Sequence, residues 1–110
     1  MSLLKTVIGL TKVYLDANKK CMVNLQINDE CYNVSMIYDG LDLQEDEYFI
    51  HLGEIGNDTF DIDIVKSKIA TMGIDNGAIV IEMINGKKFI IAIDTECEVE
   101  DGIYRFNPTD

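Results

Sequence analysis

Residues 78 to 93 read AIVIEMINGKKFIIAI, and the reading of this stretch decides the fold class. Asn85-Gly86 stands between two apolar, β-branched runs, the strongest short-range signature of a β-hairpin, because both residues of a tight turn must accept positive φ. A two-residue turn pairs Ile84 with Lys87, Ile81 with Ile90 and Ala78 with Ile93, and leaves both faces of the ribbon apolar. Such a ribbon belongs inside a barrel, a sandwich, or a sheet covered by a helix.

Working outward, Cys21 to Tyr38 (CMVNLQINDECYNVSMIY) reads as a second hairpin turning at Asn28-Asp29. Val23, Leu25, Tyr32, Val34 and Met36 share one face, while Asn24, Gln26, Asn33 and Ser35 share the other, as expected of a sheet half open to water. Further strands read at Tyr48 to Leu52, Thr59 to Val65 and Glu96 to Phe106. The two hairpins align at an offset of 57 residues, Val23 with Val80 and Asn28 with Asn85, a correspondence that generic hairpins share.

Two segments fit either periodicity. Leu3, Leu4, Val7, Ile8, Thr11, Tyr14 and Leu15 make a helical stripe, but five β-branched residues and Gly9 favour a strand from about Thr6. Ile62, Val65, Ile69 and Met72 recur at helical spacing, so a short helix is expected to end at Gly73. The expected fold is mainly β: a small antiparallel barrel or roll of about seven to eight strands, with room for one or two short helices. The alternative is an α+β fold with an N-terminal helix packed on an antiparallel sheet.

The 110 residues, 47% apolar and 26% charged, support a single domain over 1–110. No apolar run approaches the roughly 20 residues needed to span a bilayer, and no signal-peptide pattern is legible at the N-terminus. Cys21, Cys31 and Cys97 are odd in number and lack CxxC spacing, which points to free thiols and a cytoplasmic setting.

The net charge of -11 is concentrated in two segments. Residues 41 to 65 carry eight acids and no base; residues 94 to 110 carry six acids against Arg105. With one Arg and two isolated Lys-Lys pairs, the chain lacks the clustered cations of a nucleic-acid binder, and an anionic membrane is an equally poor partner. A basic protein surface suits the charge.

His51 is the only histidine, which excludes His-cluster zinc sites, and it is expected on the polar face of its strand. None of the GxSxG, HExxH, GxxxxGK[ST] or GxGxxG patterns occurs, and neither Asp-rich run fits a calcium loop. No catalytic residue, metal ligand or cofactor is assigned. An extended ECEVED run would set Glu96, Glu98 and Glu100 about 6.7 Å apart on one face, a spacing close to that of successive phosphates.

These features together lead to the expectation of a non-catalytic acidic interaction module, immunity-like, phage-derived or adaptor in kind, that docks on a basic protein partner. The expected contact residues are Asp42, Glu45, Asp46, Glu47, Asp61, Asp63, Glu96, Glu98 and Glu100. Aromatic residues beside the acidic runs, Tyr48 and Phe49 among them, suit an anchor within a charged rim. The alternatives are a small-molecule or cation-binding β domain and, behind it, a nucleic-acid-mimicking inhibitor. A homo-oligomer is compatible with all three.

Overall fold

The computed structural model describes residues 3–55, 62–100 and 103–106, with side chains over 3–55 and 62–94. Helix α1 (Leu3–Ala17) is followed by β1 (Cys21–Asn28), β2 (Asn33–Tyr38), β3 (Leu41–Glu45), β4 (Phe49–Glu54) and β5 (Ile62–Val65). A 3-10 turn at Lys66–Lys68 then leads into β6 (Ile69–Asp75), β7 (Ala78–Met83), β8 (Lys88–Glu100) and β9 (Ile103–Phe106).

These nine strands, counted among the described residues, form two antiparallel sheets. The larger runs β2-β1-β8-β7-β6, with β9 on the far half of the long β8; the smaller runs β3-β4-β5. The mainly β class therefore holds, whereas the barrel does not. Closure would need β2 and β6 to find partners on their outer sides, and among the described residues they remain the ends of the path. The three strands that could have bridged them pair with one another instead.

The N-terminal segment is a helix, as the α+β alternative had it, and the strand expected from Thr6 is corrected. Ile8, Thr11 and Leu15 are buried at i, i+3 and i+7. Each buried Leu or Ile contributes about 1.5–3 kcal/mol, against a propensity penalty of at most about 0.7 kcal/mol for a β-branched residue. Thr11 is fully buried, and its hydroxyl donates to the Val7 carbonyl at 2.8 Å, so no polar group is stranded. The helix packs against β3 and β6, bridging the two sheets.

The hairpin at Asn85-Gly86 is real, but its register is one residue away from the two-residue reading. Ile81 pairs with Phe89 and Glu82 with Lys88. The Gly86 N–H donates to the Met83 carbonyl at 2.9 Å and Met83 N–H to the Lys87 carbonyl at 2.8 Å, closing a three-residue loop in which Gly86 takes φ 92°. Gly86 alone supplies the positive φ, so a type I turn followed by a left-handed glycine replaces the doubly left-handed turn. A one-residue slip exchanges the faces, and the face buried is Ile79, Ile81, Met83, Phe89 and Ile91.

The helix expected to end at Gly73 is also absent: β5, the 3-10 turn and β6 occupy that span. The tight two-residue hairpin lies just beyond, at Asn76-Gly77, where φ is 50° and 81° and Asp75 pairs with Ala78. The β1–β2 hairpin keeps its expected faces, but a longer loop pairs Asn28 with Asn33 rather than turning at Asn28-Asp29. Since Asn28 is in a strand and Asn85 in a loop, the 57-residue correspondence breaks at the turns. The segment read as one strand from Glu96 to Phe106 is divided between β8 and β9. Phe60 and the beginning of the strand expected from Thr59 lie outside the described residues.

Val23, Leu25, Ile79, Ile81, Phe89 and Ile91 of the large sheet join Leu41, Leu43, Ile50, Leu52 and Ile64 of the small sheet in one core with Ile8 and Leu15 of α1. The chain passes from the large sheet to the small one at Gly40, whose φ is 138° and whose carbonyl accepts from Ile55 N–H at 3.2 Å. This corner sets the acidic segment on the small sheet.

Candidate functional site

The acidic segment is organised around β4. Register places His51 opposite Gln44 of β3 on one side and Asp63 of β5 on the other, so the three side chains share the outer face of the small sheet. Leu43, Ile50, Leu52 and Ile64 alternate onto the inner face and anchor it.

The turn from β3 to β4 is fixed by its own acid. One oxygen of Asp46, Oδ1, accepts from the backbone N–H groups of Tyr48 and Phe49, both at 2.9 Å, while Asp46 N–H donates to the Phe49 carbonyl. This is the local cyclisation that makes Asp a turn residue. The other oxygen, Oδ2, lies 2.8 Å from Nε2 of His51, whose Nδ1 lies 2.6 Å from Oδ1 of Asp63. Beside this set, Lys66 Nζ contacts Glu45 Oε2 at 2.6 Å and donates to the Asp46 carbonyl at 2.6 Å.

Two carboxylates on the two ring nitrogens favour the imidazolium. The His51 pKa is raised, first by the Asp46 hydrogen bond and then by that from Asp63. Asp46 is lowered to about 2, chiefly by the His51 hydrogen bond and next by the Phe49 and Tyr48 N–H groups. The His51 side chain is only 25% exposed and both nitrogens face acceptors, so neither is free to take a proton from a thiol or hydroxyl. The arrangement is a clamp that holds two surface carboxylates in place.

Of the expected contact residues, Glu45, Asp46 and Asp63 are brought together in this cluster. Asp42 sits further along the same outer face and accepts from Gln44 at 3.1 Å, and Glu47 is exposed at the turn. Glu96, Glu98 and Glu100 occupy alternate positions near the end of β8, their side chains outside the described residues, as is all of Asp61. Sequence reasoning treated His51 as a bland polar-face residue and passed over Lys66. The signal for both lay in the pairing of β4 with β5, which periodicity within either strand does not contain.

Tyr48 stands at the tip of the turn, 65% exposed, directly after Asp46 and Glu47. With Leu4, Val65 and Lys66 it borders a shallow groove of about 300 Å³. A second groove, about 370 Å³, opens between β5 and the β7–β8 hairpin over Ile64, Met83 and Phe89, with Lys68 and Lys87 among its lining residues. Among the described residues no group of three or more His, Cys, Asp or Glu side chains is arranged to hold a metal ion. Cys21 is buried and Cys31 exposed, and neither forms a disulfide among the described residues. No known protein family, curated protein or solved structure matches the chain.

Proposed function

We propose that the protein is a non-catalytic, cytoplasmic binding module, adaptor-like or immunity-like in kind, that docks on a basic protein partner through the β3–β4 turn and the outer face of the small sheet. The observation that carries this reading is Tyr48: a largely exposed aromatic ring on a backbone clamped by Asp46, following the run Glu45-Asp46-Glu47. Exposed aromatic anchors within a charged rim supply affinity at the centre and steering at the edge. Around it Asp42, Glu45, Asp46, Glu47 and Asp63 outnumber His51 and Lys66 by three charges even with the imidazolium formed. Glu96, Glu98 and Glu100 extend the same reading along β8.

The clustered acids already share their charge with His51 and Lys66, which favours docking over a cation site or a phosphate mimic, both of which call for uncompensated anions. The test is capture by the whole chain from its own cell extract, compared with Tyr48→Ala and with Asp46→Asn/Glu47→Gln. A basic partner whose affinity drops roughly tenfold or more with Tyr48→Ala is expected, together with an association rate that falls with salt. Binding indifferent to both variants would remove this face.

A second reading has one specific observation behind it. The groove between the sheets joins an apolar floor to Lys68 and Lys87, two ammonium groups against the single carboxylate of Asp63, a combination suited to a small amphipathic anion. Stabilisation by such an anion, lost in Lys68→Ala/Lys87→Ala, would support it, and an unchanged melting temperature at saturating anion would count against it.

A further inference from the structure

The outer edge of the large sheet carries a separate feature. β6 ends the strand order, so one side of its backbone has no strand partner among the described residues. Sheet edges are ordinarily guarded by charge, proline or brevity. Here Ile69 to Ile74 (IATMGI) contains no charge and no proline, and after an irregularity between Ile69 and Thr71 the strand runs regularly to Asp75.

Helix α1 lies along this edge. Leu3, Leu4 and Val7 enclose a groove of about 410 Å³ with residues 69 to 72, and at the other end the Tyr14 hydroxyl donates to the Gly77 carbonyl at 2.6 Å. Helix and strand therefore run in the same direction, side by side. Leu3, Val7, Leu10 and Tyr14 recur at 4-3-4 spacing, one stripe of a helix made to pack against something. Yet Leu3 is 79% and Leu10 59% exposed. On the strand, Met72 and Ile74 pair with the buried Ile81 and Ile79 and so turn to the core side, where Ile74 is still 43% exposed.

We propose that this edge is the interface of a homodimer in which β6 of two copies pair antiparallel about a two-fold axis near Met72. Leu10 and Ile74 of each copy are then covered by the other. The charges select a second copy over other occupants. Pairing about Met72 sets Lys68 of one copy opposite the partner's Asn76, and so next to Asp75 of the partner subunit, twice by symmetry, and neither Lys68 nor Asp75 has an ion pair among the described residues. This edge is also where so acidic a chain repels itself least, since residues 3 to 15 and 69 to 74 contain no acid.

The test is the mass of the full chain by sedimentation equilibrium, up to about 100 µM, a concentration that populates even a micromolar dimer. Twice the 12.4 kDa chain mass is expected. Leu10→Lys and Ile74→Lys, both at exposed sites, should each weaken association by roughly tenfold or more. Lys68→Asp should weaken it as well, and adding Asp75→Lys should restore it. Ile37→Lys on β2, at the opposite edge of the sheet, and Tyr48→Ala should leave it unchanged, which separates this interface from the docking turn. A wild-type chain that stays monomeric, or a dimer abolished by Ile37→Lys but not by Ile74→Lys, would overturn the proposal.

Discussion

Gly40→Ala is expected to destabilise the protein by about 2–6 kcal/mol, combining backbone strain with overpacking at about 1–3 kcal/mol each. A Cβ on Gly40 would lie 2.7 Å from the Lys19 carbonyl oxygen, which belongs to backbone, and 3.2 Å from Ile55 Cδ1. The φ of 138° is one that side chains rarely adopt. The same substitution at Gly9 should have the opposite sign: its Cβ would meet nothing within 4 Å, in the middle of α1, and alanine there gains about 0.8–1 kcal/mol over glycine. In urea, with a slope of about 1.5 kcal/mol/M, the midpoint should fall by roughly 1.3–4 M for Gly40→Ala and rise by roughly 0.6 M for Gly9→Ala. Circular dichroism at one fixed protein concentration reads both, since self-association would otherwise add stability. A Gly40→Ala midpoint within roughly 0.3 M of wild type would refute the corner between β2 and β3.

Stability should respond to pH through the clamp. The His51 contribution is complete below its unfolded value of about 6.5 and is lost as pH rises through the raised folded value; the Asp46 contribution is complete above 3.8 and is lost as pH falls toward about 2. A plateau between these limits is expected, with its alkaline limb flattened in His51→Gln; an imidazole titrating by NMR at or below the ordinary value would contradict the geometry. Leu25→Ala, at a fully buried site on β1, should cost about 2–5 kcal/mol in the same urea assay. Lys66→Met should cost about 1–2 kcal/mol, because its half-buried ammonium gives up both the Glu45 contact and the hydrogen bond to the Asp46 carbonyl, and a change below about 0.3 kcal/mol would mean that neither contact is formed in solution.

The strands could be read from the sequence because alternation and β-branching are local properties. Val23, Leu25 and Ile27 announce a half-buried strand without reference to the rest of the chain. Loop geometry was less accessible. Asn85-Gly86 suits either a two-residue or a three-residue loop, and the choice falls on whichever face the core accepts; with apolar residues on both faces, the sequence contains no preference. The α1 segment shows the same limit, since its β-branched residues argue from intrinsic preference and its stripe from tertiary burial, and burial carries the larger energy. The acidic run was visible as composition, but its division into clamped and unclamped carboxylates follows from the β4–β5 register. His51 and Asp63 are neighbours through a pairing twelve residues apart.

The pairing of β1 with β8 has a consequence for how the chain comes into being. Asn28 meets Lys88 and Val23 meets Ile93, partners 60 to 70 residues apart. At a synthesis rate of about 5–20 residues per second, the nascent β1–β2 hairpin waits several seconds, its inner row of Val23 and Leu25 without cover, before the strand that completes it has been made. Folding is therefore governed by the arrival of the last third of the chain, and ribosomes stalled before residue 88 would release a product prone to clumping.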